Sequence, residues 1–278
     1  MRTKTFGLVL ASWLLASGPY AQAQFKPADI ALREQWEEFM KAADIVKSEP
    51  IGEGVTSPWR IYLQKGDVQK RAAWKNPDEK IDDILDSWKH EIAAYRLDKL
   101  IGLNMIPPAI EREFNGKKGD LSLWADNRTS LLKMQENNEQ IPDQAIAQTD
   151  RMKYIARLWD SLIANADRTQ QNVLFTDDWR MILIDHSRAF QAGGKYSRRL
   201  MYGAKGIVRK DDGGSFLIQR VPRALFEKIK ALNFAVIKQA VGPYLTDDEI
   251  RAIIARIPLI TAEIADMIKK NGEANVLY

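Results

Sequence analysis

Residues 164–187 read ANADRTQQNVLFTDDWRMILIDHS, and the way this run doubles back decides the fold around it. Just upstream, Ile155, Leu158, Trp159, Leu162 and Ile163 recur at helical spacing, the apolar face of a helix running on from Asp150. That helix ends where the run begins. The segments NVLF (172–175) and RMILI (180–184) then read as two short strands around the turn Thr176-Asp177-Asp178-Trp179. A tight hairpin returns its far end to its start, so Asp185 comes back beside Asn172. With Asp167 on the preceding loop, two carboxylates and one amide oxygen converge. Hard cations such as Mg²⁺ take oxygen ligands of this kind and share them with phosphates. The constellation suits phosphoryl transfer, in which one carboxylate orients or deprotonates a hydroxyl while other groups hold metal against the nucleotide. Taken singly, Asp167 and Asn172 are also ordinary turn and cap residues.

Toward the N-terminus, residues 28–48 show helical spacing of Trp36, Phe39, Met40 and Ala43. The stretch IGEGVTSPWRIYLQKGDVQKRAAWK (51–75) shortens the period and adds glycines, which predicts three strands joined by two hairpin connections, with Gly66-Asp67 in the second. Residues 79–101 predict one long helix closed by Gly102, with Pro107-Pro108 forbidding its resumption. Glu91 falls inside its apolar stripe of Ile84, Trp88 and Tyr95, where a buried charge needs a partner. That partner is either Lys75, at the end of the preceding strand, or a base on the same helix, Arg96 or Lys99. AIEREF (109–114) and LSLWAD (121–126) flank a turn over 115–120, and the polar residues 127–148 read as a loop. Beyond a basic, glycine-rich stretch over 191–221, three helices are expected near 222–241, 246–256 and 260–270. The order is α+β in two lobes, with a boundary near residue 127. Trp74, Trp88 and Trp159 are most simply core.

At the start of the chain, Arg2 and Lys4 precede the uncharged apolar residues 6–16, then Ser17-Gly18-Pro19 and a small-residue site at Ala21-Gln22-Ala23. That order predicts a cleavable signal peptide over 1–23 and a periplasmic or secreted chain. The apolar run is about half the roughly 20 residues a membrane span needs, so no transmembrane segment is expected after cleavage. The absence of cysteine excludes disulfides, thiolate metal sites and cysteine nucleophiles. Two histidines make a histidine-rich zinc site unexpected. A net charge of +4, with acids and bases interspersed, gives no reason to expect nucleic acid as a partner.

The helix, the D-R-x-x-x-N loop at 167–172, the hairpin and Asp185 together resemble the phosphatidylinositol 3-/4-kinase-like branch of the protein-kinase fold. Secreted Golgi casein kinases and HipA-type kinases share related layouts. The resemblance spans roughly residues 50–190. It implies a two-lobed protein-kinase-like fold, with a small β-rich N-lobe (24–126) carrying one long helix and a mainly helical C-lobe (127–278). It further implies transfer of the ATP γ-phosphoryl group to a hydroxyl with Mg²⁺ or Mn²⁺. By the same resemblance Asp167 is the base or hydroxyl-orienting residue, and Asn172 and Asp185 bind the metal. Lys75 touches the α- and β-phosphates and is held by Glu91. Gly52 and Gly54 cover the phosphates, and Trp124 lies near the nucleotide base. The chain departs from the pattern at Thr169, where a histidine is frequent, and at His186-Ser187, where Phe-Gly is familiar. His186 reads as a hydrogen-bonding neighbour rather than a ligand. Two alternatives stand beside this reading: an inactive pseudokinase serving as an exported binding protein, and an unrelated metal-dependent hydrolase. The hydrolase implies no connection among Lys75, Glu91 and Asp185. The hydroxyl acceptor stays open among protein, glycan, lipid and small molecule, and the basic stretch 193–214 is placed to help choose it.

Overall fold

A computed structural model describes residues 25–52, 57–208 and 218–278. The expected signal peptide and Gly54 lie outside them. Two helices, α1 (Pro27–Ala31) and α2 (Arg33–Ala42), lead into the strands β1 (Asp44–Pro50), β2 (Trp59–Lys65) and β3 (Val68–Lys75). A small hairpin, β4 (Asp78–Ile81) and β5 (Ile84–Ser87), precedes helix α3 (Trp88–Ile101). The strands β6 (Ala109–Phe114) and β7 (Lys117–Leu123) complete a five-stranded antiparallel sheet ordered β1-β2-β3-β7-β6. Alternation along its strands sends Ile61, Leu63, Ala72, Trp74 and Leu121 into a core closed by Phe39 and Met40 of α2. Lys75, cross-strand from Asp120, shares the opposite face with it. Gly119 is needed where β7 crosses β3: a Cβ there would lie 2.6 Å from the Lys75 carbonyl and 2.7 Å from the Trp74 ring.

The second half opens with β8 (Thr129–Ser130), α4 (Leu131–Glu136) and α5 (Asp143–Ile163). Next come β9 (Val173–Phe175) and β10 (Met181–Leu183), which form a three-stranded sheet with β8. The helices α6 (Lys195–Arg198), α7 (Arg223–Ala231), α8 (Phe234–Val241), α9 (Asp247–Asn271) and α10 (Glu273–Val276) follow. The larger core joins α3 to α5, α7, α8 and α9 through Ile92, Trp159, Leu162, Phe226, Ile237 and Ile260. Helix α3 therefore belongs to both halves. Its far end is fixed by Asp98, fully buried, which pairs with Arg33 at 2.9 Å and accepts from the Met105 and Ile106 amides at 2.7 and 3.1 Å. A buried charge held on several sides is costly to disturb, and this one sets where α3 sits.

Several stretches differ from expectation, among them the helix expected near 222–241, which is two, α7 and α8. The helix expected over 28–48 stops at Ala42 and the chain extends into β1, because Ala43 leaves the helical region at ψ 145° and the β-branched Ile45 and Val46 follow. The helix expected from 79 begins at Trp88. Asp82 and Asp83 adopt left-handed φ of 49° and 66°, the signature of a two-residue hairpin turn, so Ile81 and Ile84 face each other across β4 and β5. The hairpin turn expected over 115–120 is shorter, and Lys117–Asp120 already belong to β7. The expected loop over 127–148 holds β8, α4 and the first turns of α5, whose polar residues face outward while Ala145 and Thr149 are buried. Toward the C-terminus the two helices expected near 246–256 and 260–270 are one, α9, running through Pro258. The missing N–H removes one backbone bond, while the buried stripe Ile253, Ile257, Ile260 and Ile264 keeps both halves on the core.

Candidate active site

Strand β3 ends in Lys75, and its ammonium is where three elements meet. It forms an ion pair with Glu91 on α3 and stands 2.7 Å from Asp185 Oδ1, just beyond β10. The helical alternative for Glu91 is thereby closed. The Lys75 and Glu91 side chains are 12% and 5% exposed, and that of Asp185 is 40% exposed. Burial by itself would lower the Lys75 pKa, but the Asp185 and Glu91 carboxylates outweigh it and hold the ammonium well above its ordinary value. Burial would likewise raise Glu91, and Lys75 with His186 pulls it well below the usual carboxylate range. The site is thus a charged buried pair with one carboxylate open to solvent.

Asp185 reaches Lys75 through a left-handed backbone turn at φ 59°. Aspartate is among the few residues that visit this region, at a cost of roughly 1 kcal/mol. The Ile184 amide donates to the Asn172 carbonyl at 3.1 Å, closing the hairpin as its sequence implied. Asn172 is buried, and its amide nitrogen is committed to the Asp167 carbonyl at 3.3 Å, so its side-chain oxygen is the end left for a cation. Among the described residues no three His, Cys, Asp or Glu side chains converge as a metal site. The oxygen donors of Asp185 and Asn172 fit a hard cation that takes its remaining ligands from phosphate and water, as Mg²⁺ does.

Asp167 stands on the loop after α5 with Arg188 Nη1 at 3.4 Å; Arg188 is itself anchored by Asp86 at 2.9 Å. Burial raises the Asp167 pKa, with Arg188 opposing and Asp185 adding repulsion. Gly52 lies in the connection between β1 and β2 at φ 75°, with no atom of the described residues within 4 Å of where a Cβ would point. Trp124, whose amide donates to Arg71 O just past β7, has Arg60 and Arg71 guanidinium groups 4.7 and 5.4 Å from its ring. It continues the face that carries Lys75 but is stacked by arginines rather than joined to the lysine cluster. In the basic stretch, Lys195, Arg198 and Lys205 are exposed.

One site residue escaped the sequence reading. Asp120 is fully buried opposite Lys75, accepts from Ser122 Oγ at 2.8 Å, and among the described residues has no hydrogen-bond partner for Oδ1. It falls in the turn expected over 115–120, and only the β3–β7 register reveals it. Burial first, then repulsion from Glu91, holds its carboxyl well above 3.8, against the pull of Lys75. The folded chain therefore binds this proton more tightly than the unfolded chain, and stability is lost as pH rises from 3.8 toward the folded value. Asp120→Asn removes that loss. Thermal melts between about pH 5 and about pH 9 should show the variant gaining on the wild type as pH rises; a difference independent of pH would mean the carboxyl is already ionised.

No family model and no curated protein matches the chain in sequence. Among solved structures it is similar to one described as a Helicobacter pylori proinflammatory kinase, CtkA, at 12% identity. The match covers 84% of this chain and 96% of that one, with a TM-score of 0.50. At that identity the likeness is one of fold: the chain has a two-lobed α+β kinase-like fold, with a sheet-bearing N-terminal part and a helical C-terminal part.

Proposed function

We propose that the chain is an exported phosphotransferase that moves the ATP γ-phosphoryl group to a hydroxyl acceptor with Mg²⁺ or Mn²⁺. The observation that carries this reading is the meeting of Lys75 with both Glu91 and Asp185, from three separate elements, at one buried point. A hydrolase unrelated to this fold has no reason to build that junction. Lys75 would give its N–H donors to the α- and β-phosphate oxygens while Glu91 holds it in place. Asp185 and Asn172 would hold the cation, which when bound neutralises phosphate charge. Asp167 would orient the acceptor hydroxyl and take its proton as oxygen attacks the γ-phosphorus and the β–γ bridging bond breaks, releasing ADP. Its raised pKa makes it a better proton acceptor than an ordinary aspartate.

One observation favours a second reading within the same fold, a binding protein without turnover: Asp185 is followed by His186-Ser187, and His186 is buried in the interior rather than free to move. A periplasmic location, where little ATP is expected, points the same way. The two are separated by incubating the chain from Gln24 with γ-labelled ATP and a panel of protein, glycan, lipid and small-molecule hydroxyls. Label should leave ATP and appear on an acceptor only when Mg²⁺ or Mn²⁺ is added. Nucleotide binding with no metal-dependent loss of label would leave the binding-protein reading.

A further inference from the structure

His186 lies at a junction that the sequence pattern does not explain. It is fully buried between α3 and the loop that carries Asp167. Arg168 on that loop clamps three segments: its guanidinium pairs with buried Asp160 of α5 at 3.1 Å and donates to the carbonyls of Asn172 and Ile184 at 3.1 and 2.8 Å. The same Nη2 that faces Asp160 Oδ1 also stands 2.9 Å from His186 Nε2, and Trp159 Nε1 donates to that ring nitrogen at 3.3 Å. On the other side, the His186 amide donates to Glu91 Oε1 at 2.9 Å, and ring Nδ1 faces Glu91 Oε2 at 3.6 Å with no hydrogen-bond partner among the described residues.

Arginine and indole nitrogens only donate, so the Nε2 they both approach must accept. The ring is then neutral with its proton on Nδ1, and that N–H dipole is aimed at the Glu91 carboxylate. We infer that His186 is a positioning residue, a polar bridge that ties the Lys75–Glu91 pair to Arg168 and hence to the loop bearing Asp167 and Asn172. An aromatic hydrocarbon of similar volume would fill the space but join nothing. The bridge makes the phosphate-holding lysine and the hydroxyl-orienting aspartate one assembly across two lobes. Its effect on turnover rests on the phosphotransferase reading above; its geometry does not.

The test reads both. The chain holds two histidines, His90 and His186, so imidazole ¹⁵N spectra of labelled protein assign His186 by its absence in His186→Phe. The expected signature is the Nδ1–H tautomer in the wild type, and an Nε2–H tautomer overturns the bridge outright. In kinetics, His186→Phe should lower kcat tenfold to a hundredfold, about the effect of misplaced catalytic groups, with KM for ATP within about threefold. His186→Gln, whose amide oxygen can still accept from Arg168, should recover most of that loss. Unchanged kcat in His186→Phe, or no rescue by Gln, overturns the positioning role. If the wild type transfers no phosphoryl group, that reading fails by itself. The bridge is then judged by a double-mutant cycle of Glu91→Gln and Arg168→Lys on unfolding. Coupling present with His186 and lost in the His186→Phe background supports it; no coupling in either background contradicts it.

Discussion

Lys75→Ala should lower the melting temperature by about 10 °C and abolish nucleotide binding. The substitution removes the cation from between two carboxylates and leaves Glu91, 4% exposed, as a buried charge. Breaking a buried pair from one side costs about 3–5 kcal/mol, and each kcal/mol shifts a domain of this size by roughly 2–4 °C. Adding Glu91→Gln to the same chain should restore much of the stability, since no uncompensated charge then remains, while nucleotide binding stays lost. The pH window follows from the two shifts. A raised lysine contributes fully below its ordinary 10.5, and a depressed glutamate contributes above its ordinary 4.5 and fades as pH falls below it. The gap between wild type and Lys75→Ala should therefore narrow on acidification below 4.5. A single variant as stable as the wild type at neutral pH would show that Glu91 finds another partner or a proton.

Asp167→Ala should leave the fold and ATP affinity nearly intact and lower kcat by about 10²–10⁴, the usual contribution of a positioned general base. The side chain is 38% exposed and touches Lys75 through no bond, and Arg188 keeps its contact with Asp86 at 2.9 Å when Asp167 is gone. A loss confined to kcat is what removal of an interaction made only in the transition state produces. Because the base must be ionised, turnover should rise with pH through a pKa above 3.8, the direction that burial imposes on Asp167. Steady-state kinetics with saturating nucleotide, across pH, checks both statements. Transfer that survives the substitution would take this role away from Asp167.

The hairpin at 164–187 was legible because each of its parts is local. A helix face, a turn and two apolar strands fix where Asp167, Asn172 and Asp185 lie without reference to distant residues. Lys75 and Glu91 were legible from a different cue, a charge set in an apolar stripe that burial requires to be paired. What stayed hidden depends on register or on the partner's position. Asp120 becomes a site residue only because β7 pairs with β3 so that it faces Lys75, and nothing in its neighbours announces that pairing. The β4–β5 hairpin was hidden because Ile81, Ile84 and Leu85 satisfy helical spacing as well as strand spacing over so short a run, and the Asp82-Asp83 turn decides between them. The Arg33–Asp98 clamp joins residues 65 positions apart and leaves no periodic trace in either segment. The two helices expected near 246–256 and 260–270 are one, since a helix packed along a buried isoleucine stripe tolerates the donor missing at Pro258.

The measurement that tests the central claim most directly is thermal unfolding of the chain from Gln24 with and without ATP, in Mg²⁺ and in Mn²⁺, beside Asp185→Ala. A ligand at one hundred times its Kd stabilises by about 2.7 kcal/mol, a rise of several degrees for a domain of this size. A rise that needs the divalent cation and vanishes in Asp185→Ala is the predicted result. No rise with any nucleotide, or one that Asp185→Ala leaves unchanged, would contradict a nucleotide–metal site built on Lys75, Glu91 and Asp185.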